Sequence, residues 1–312
     1  MTKVQEQIVK SLVSAMALSV LATAGLAQDE QFPILFTNVH VFDGVNETRI
    51  ENANVLVVDN LIAEVSSEPM AVANGRIIDG GGRTLMPGLI DMHTHVMFKY
   101  GVNPARNDVD HAAAGAMALE TMQFYLSMGY TTLRDIGGNS LSISRALARG
   151  WLTGPRLYSS GGAISGISGH ADLGMLTEAP GADIYAQRGD ANAVVGADAV
   201  RKEVLTRLRA GATHIKVMPG GGVASDFDPL EATTMTLEEL RAAVETAADF
   251  QTYVCAHAYN DESINRFLDA GGRCIEHGFL AEEGTIRRMK ELGAVMSLQA
   301  YAAYEVFKDP DN

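Results

Sequence analysis

The chain has 312 residues, 47% of them hydrophobic and 20% charged. This is enough apolar material for one large α/β domain with a smaller appendage, and it excludes disorder as the general state. The formal net charge of −14, with no basic stripe, disfavours nucleic acid and anionic membrane surfaces, which both require clustered Lys and Arg.

Lys3 and Lys10 give the chain a positive start, and an apolar run extends from Leu12 to Leu26. Gly25 and Ala27 then place small residues before Gln28. Residues 1–27 read as a cleavable signal peptide, which implies a periplasmic or secreted protein with no stable membrane insertion after cleavage. The run is short for a membrane span.

Residues 28–86 carry short β-rich runs at Ile34–Phe42, Asn54–Asp59 and Leu61–Val65, punctuated by Asp43-Gly44 and Gly80–Gly82. They predict a small β-sandwich portion. From Pro87 to Asn312 strands alternate with helical stretches. Strands are expected at Leu89–Val96, Tyr130–Asp135, Arg156–Ser160, His214–Met218, Tyr253–Ala258 and Arg273–Glu276, with a seventh beginning at Ala294. Helices are expected at Val109–Met128, Ser142–Arg149, Asn192–Ala210, Thr236–Ala248, Asp261–Ala270 and Glu282–Leu292. Thr236 with Glu239 three residues on is a capping-box pattern. Repeated strand–helix units with polar strand ends imply a parallel sheet, open or closed into a barrel.

Alternation on the first of these strands sends Asp91, His93 and His95 to one face, where two neutral imidazoles can bind a divalent ion. An isolated His-x-His is more often structural, so the pattern gains weight only from later positions. Lys216 shares its strand face with His214, opposite Ile215 and Val217. An inward lysine is costly unless paired, snorkelling at a rim, or converted to a carbamate. His257 and His277 close two consecutive strands. Cys255 shares parity with His257, whereas Cys274 opposes His277, so two separate buried thiols are expected rather than a disulfide.

The segment Pro87-Gly-Leu-Ile-Asp-Met-His-Thr-His95 resembles the signature of the amidohydrolase superfamily. Gly129–Gly138, Gly154-Pro-Arg-Leu, Gly169-His-Ala-Asp172, His214–Gly222, Ala256-His-Ala-Tyr259 and Glu276-His277-Gly278 are similar to its imidazolonepropionase-like, prolidase-like branch. The resemblance implies a (β/α)8 TIM-type barrel with a flanking β-sandwich and two divalent metal ions, zinc by analogy. His93 and His95 would bind the more buried ion, carbamylated Lys216 would bridge both, and His257 with His277 would bind the more exposed one. A shared hydroxide would attack the scissile amide of a small-molecule substrate, a dipeptide or N-acyl amino acid. Tyr259 and His170 would hydrogen-bond the carbonyl oxygen or the substrate carboxylate. Asp172 and Arg134 read as structural salt-bridge partners.

The family pattern also includes an aspartate at the end of an eighth strand. Asp309 and Asp311 lie in a polar tail without that context, so the barrel is expected to stop before its last strands. Two other readings stay open: a cyclic amidase or deaminase of the same superfamily, and a catalytically impaired metal-binding remnant. Oligomeric state is not readable.

Overall fold

The structure, a computed structural model, describes residues 32–101 and 109–299. The signal-peptide reading and the Asp309 and Asp311 positions lie outside those residues. The chain divides into two units between Pro87 and Gly88. Among the described residues no helix is long and apolar enough to cross a membrane.

In the first unit, β1 (Ile34–Val41), β2 (Ile50–Val58), β3 (Leu61–Ser66) and β4 (Arg76–Leu85) form one sheet in the order β3-β2-β1-β4. The β1–β2 and β2–β3 pairs are antiparallel and β1–β4 is parallel. Leu35, Val39, Ala53 and Val55 are buried, whereas Leu61, Ile62 and Ile77 remain exposed. Where a β-sandwich portion was expected, the described residues therefore form a single layer.

The second unit holds two parallel sheets. The smaller pairs β5 (Leu89–Thr94), β6 (Tyr130–Asp135) and β7 (Arg156–Ser159). The larger contains β8 (Ala163–Ser165), β9 (Ala191–Ala193), β10 (Ile215–Met218), β11 (Val254–Asn260), β12 (Cys274–Leu280) and β13 (Val295–Ser297), ordered β13-β12-β11-β10-β8-β9. The chain crosses between the sheets at residues 160–162. The barrel, read from the sequence as stopping before its last strands, is not closed among the described residues, where β5 and β13 do not pair.

Helices α1 (His111–Ser127), α2 (Leu141–Ala148), α3 (Ile184–Arg188), α4 (Ala197–Arg209), α5 (Leu237–Asp249), α6 (Asp261–Asp269) and α7 (Glu283–Glu291) connect the strands. Phe267 and Ile264 of α6 pack with Ile215, Val217, Ala256 and Ile275 of the large sheet in the main apolar cluster. Helix α5 opens with the expected capping box: the Thr236 hydroxyl accepts from the Glu239 amide and the Glu239 carboxylate accepts from the Thr236 amide. The helix expected over Asn192–Ala210 begins only at Ala197. Residues 191–193 pair with β8 instead, and Gly196, at φ 92°, separates the two elements.

The expectation of two separate thiols is overturned. Cys255 and Cys274 are direct register partners on β11 and β12, and they form a disulfide with Cα atoms 4.6 Å apart. The parity argument failed at its reference point, because His277 does not continue the alternation of its strand. Its φ is 77° and that of Gly278 is 63°, and the β11–β12 register shifts beyond Ala258. This bulge returns the imidazole to the face already used by Cys274 and Glu276.

Candidate metal centre

His93 and His95 lie at the C-terminal end of β5, Lys216 on β10, His257 on β11 and His277 on β12. Together with His170, Met218, Tyr259 and Phe279 they line one cavity of about 270 Å³. The imidazoles are close: ring centroids are 5.1 Å apart for His93 and His95, 4.8 Å for His93 and His277, and 4.6 Å for His257 and His277. A second cavity of about 300 Å³ shares His95, His170, Met218 and Ala224 with the first and adds Phe98, Ala171 and Leu173.

Each of three imidazoles has one nitrogen committed to a protein acceptor. His93 Nδ1 lies 2.7 Å from Glu276 Oε2, His95 Nδ1 3.3 Å from the Gly137 carbonyl, and His257 Nε2 3.0 Å from the Gly221 carbonyl. Carboxylates and carbonyls only accept, so these nitrogens donate. The opposite nitrogens keep their lone pairs, which is the state a metal ligand requires. Burial, followed by the nearby Lys216 charge, depresses the basicity of His95 to about 4 and pushes His277 down as well. Burial does the same to His93 and His257, reinforced by neighbouring cationic groups. All four imidazoles are neutral near pH 7.

Lys216 is 1% exposed, and among the described residues no carboxylate lies within ion-pairing distance of its amine. Among the described residues Lys216 is therefore neither salt-bridged nor snorkelling at a rim. Burial pushes its pKa down to about 8, against a smaller opposing pull from Glu276. The donor set of neutral imidazoles and a partly neutral amine fits a pair of divalent cations, with the lysine needing an added anionic group to serve as a ligand.

The glycine run after β10 serves this centre. Gly221 supplies the carbonyl for His257, and the Gly222 amide donates to Asp228 Oδ2 at 2.8 Å. A Cβ on Gly222 would lie 2.0 Å from Cε1 of His170, so only glycine admits that ring. His170 stacks on His257 at 3.8 Å, and its Nδ1 faces both Ser225 Oγ at 2.6 Å and Asp228 Oδ2 at 3.0 Å. Serine and aspartate thus meet the same ring nitrogen, which rules out a Ser–His–Asp nucleophile relay, since that relay uses opposite nitrogens.

The amidohydrolase family profile matches residues 84–308. The chain belongs to the amidohydrolase family. It is 31% identical over 279 residues to ochratoxinase of Aspergillus niger, a match covering 83% of this chain and 57% of that enzyme. The chain thus spans little more than half the length of that relative. Among solved structures, a prolidase complexed with N-methylphosphonate-L-proline superposes with a TM-score of 0.79 at 34% identity, covering 85% of this chain and 65% of that one. A Xaa-Pro dipeptidase with bound methionine superposes at 0.77 with 26% identity, covering 88% and 69%. Its structural neighbours place this amidohydrolase in the prolidase-like and ochratoxinase-like branch.

Two other residues of this amidohydrolase read, in sequence, as structural salt-bridge partners. Asp172 makes no ion pair among the described residues; its Oδ2 accepts from the Ser168 amide at 2.8 Å and shapes a turn. Arg134 does form a buried salt bridge, to Glu276 at 2.5 Å, and its Nη1 lies 3.3 Å from both cysteine sulfurs. Cys255, Cys274 and Glu276 are grouped tightly enough for an ion, but the guanidinium already fills that position. Glu276 and Asp228 were both missed as site residues. Glu276 was visible only as the neighbour of His277, and Asp228 carried no signal beyond following the glycine run.

Proposed function

We propose that this amidohydrolase hydrolyses a peptide-type amide bond in a dipeptide or N-acyl amino acid, with two divalent ions, zinc by family analogy, held by His93, His95, Lys216, His257 and His277. The observation that carries this reading is the convergence of four neutral imidazoles and one buried lysine, with no carboxylate partner among the described residues, on a single cavity. The ochratoxinase, prolidase and Xaa-Pro dipeptidase relatives support it.

Bound divalent ions supply a Lewis acid for the carbonyl and lower the pKa of water towards neutrality. The chain's own residues do the rest. Lys216, its pKa lowered to about 8, has a larger neutral fraction than an ordinary lysine, and that fraction can add carbon dioxide; a bond forms between Nζ and the carbon, one proton leaves, and a carbamate results. Tyr259, pushed up to about 12 by burial and then by Asp228, keeps its phenolic proton and donates it as a hydrogen bond where negative charge develops. His170, held by Asp228 and Ser225 beside His257, faces the same cavity and serves the carbonyl oxygen or the substrate carboxylate. Met218, Val223, Leu230, Phe279 and Leu280 give the cavity apolar walls that fit a hydrophobic substituent. The disulfide supports export to an oxidising compartment, as the amino-terminal sequence suggests.

The test is turnover of a panel of dipeptides and N-acyl amino acids with zinc and bicarbonate. Hydrolysis that bicarbonate stimulates, with that stimulation lost in Lys216→Ala, is expected. Turnover of none of the panel, or a bicarbonate gain that survives Lys216→Ala, contradicts the proposal.

A further inference from the structure

We infer that Glu276 is a positioning residue, which fixes the tautomer and direction of His93 and so sets how tightly the buried metal position is held. The inference rests on the metal-centre reading above. Glu276 is fully buried, and both carboxylate oxygens are committed: Oε2 to His93 Nδ1 at 2.7 Å, and Oε1 to Arg134 Nη2 at 2.5 Å. Arg134 Nε in turn donates to the Met92 carbonyl at 2.6 Å, one residue before His93. The chain of contacts begins and ends on β5, passes through β6, and is anchored on β12.

This circuit does two things that packing cannot do for His93. Ile90 and Met92, on the strand face opposite His93, are exposed, so the strand carrying His93 is held weakly on its outer face. The Glu276 carboxylate, placed opposite His257 in the β11–β12 register, ties that strand to the large sheet through directional bonds. It also accepts the Nδ1 proton, leaving Nε2 as the sole lone pair of His93, and it makes that lone pair a stronger donor. Arg134 fixes the direction of the carboxylate through its bond to Oε1. The second oxygen would otherwise be a buried acceptor without a partner, which costs free energy.

The test measures zinc affinity of the full chain by competition with a chromophoric chelator, in wild type and Glu276→Gln, alongside imidazole 15N spectra of the metal-free wild type. Glu276→Gln is expected to weaken the tighter zinc by about 10–100-fold, the usual cost of removing a carboxylate behind a ligating histidine. The cobalt-substituted protein should show a changed absorption band in the same variant. The wild-type spectra should show His93 protonated at Nδ1, and this readout stands even if the variant does not fold. An unchanged affinity in folded Glu276→Gln, or a proton on Nε2 of His93, overturns this inference and leaves the metal reading intact. A wild type that binds no zinc overturns both.

Discussion

The two parallel sheets of the second unit contribute ligands under opposite conditions. Strands β10 and β11 are buried on both faces, so Lys216 and His257 are placed by close packing, with Ile215, Val217, Ala256 and Ala258 behind them. Strand β5 has Leu89, Ile90 and Met92 at 40–59% exposure, so packing does not define it. Its histidines are held by polar ties instead: His93 to Glu276, His95 to the Gly137 carbonyl, and the Val96 amide to Asp135 Oδ1 at 2.9 Å. One half of the centre is therefore sensitive to volume changes, the other to loss of single hydrogen bonds.

The largest expected effect is that of acid on the metal-free protein. Burial holds His95 at about 4 and His214 at about 3, and it lowers His93, His257 and His277 too, whereas in the unfolded chain each titrates near the ordinary value of 6.5. The unfolded state binds more protons below that value, so stability is full above pH 6.5 and falls as pH drops towards 4. Asp135, held up to about 8 chiefly by burial, works in the opposite sense, one group against five. Thermal unfolding between pH 8 and 4 checks this, and a midpoint that is flat or rises on acidification contradicts it.

Next comes volume loss in the well-packed half. Phe267→Ala should cost about 3–5 kcal/mol in denaturant unfolding, since the ring is fully buried and abuts the position a Gly272 Cβ would take. The matched change on the other sheet, Ile90→Ala, should cost under about 0.5 kcal/mol, because that side chain is 59% exposed. Equal costs would erase the comparison. Gly222→Ala should move His170 out of place and lower turnover by about 100-fold, with little change in unfolding; unchanged kinetics would show that His170 is not needed where it lies. Smallest of the set, Thr236→Ala removes the cap of α5 and should cost about 1 kcal/mol, read as a shifted denaturation midpoint.

Much of the site was legible because its residues sit on short strands, where parity is a reliable guide. His93, His95, Lys216 and His257 line one cavity, although Asp91 and His214, which share their strand faces by alternation, do not. Parity failed at β12 for a local reason: a non-glycine residue at φ 77° and a bulge, features that leave no mark in hydropathy. The same failure hid the disulfide. Glu276 and Asp228 act on histidines 183 and 58 residues away, and no periodicity encodes such partners. Repeating strand–helix units gave a parallel sheet and left open whether it closes; the described strands form two sheets joined at residues 160–162, a break that strand–helix alternation does not mark.

The central claim is a two-metal centre on five named side chains. Its most direct test is the zinc content of purified protein, loaded with zinc in bicarbonate and freed of excess, by elemental analysis. Two zinc ions per chain are expected in the wild type, with fewer in Lys216→Ala. A wild type that retains no zinc, or a Lys216→Ala variant that retains as much as the wild type, contradicts the account.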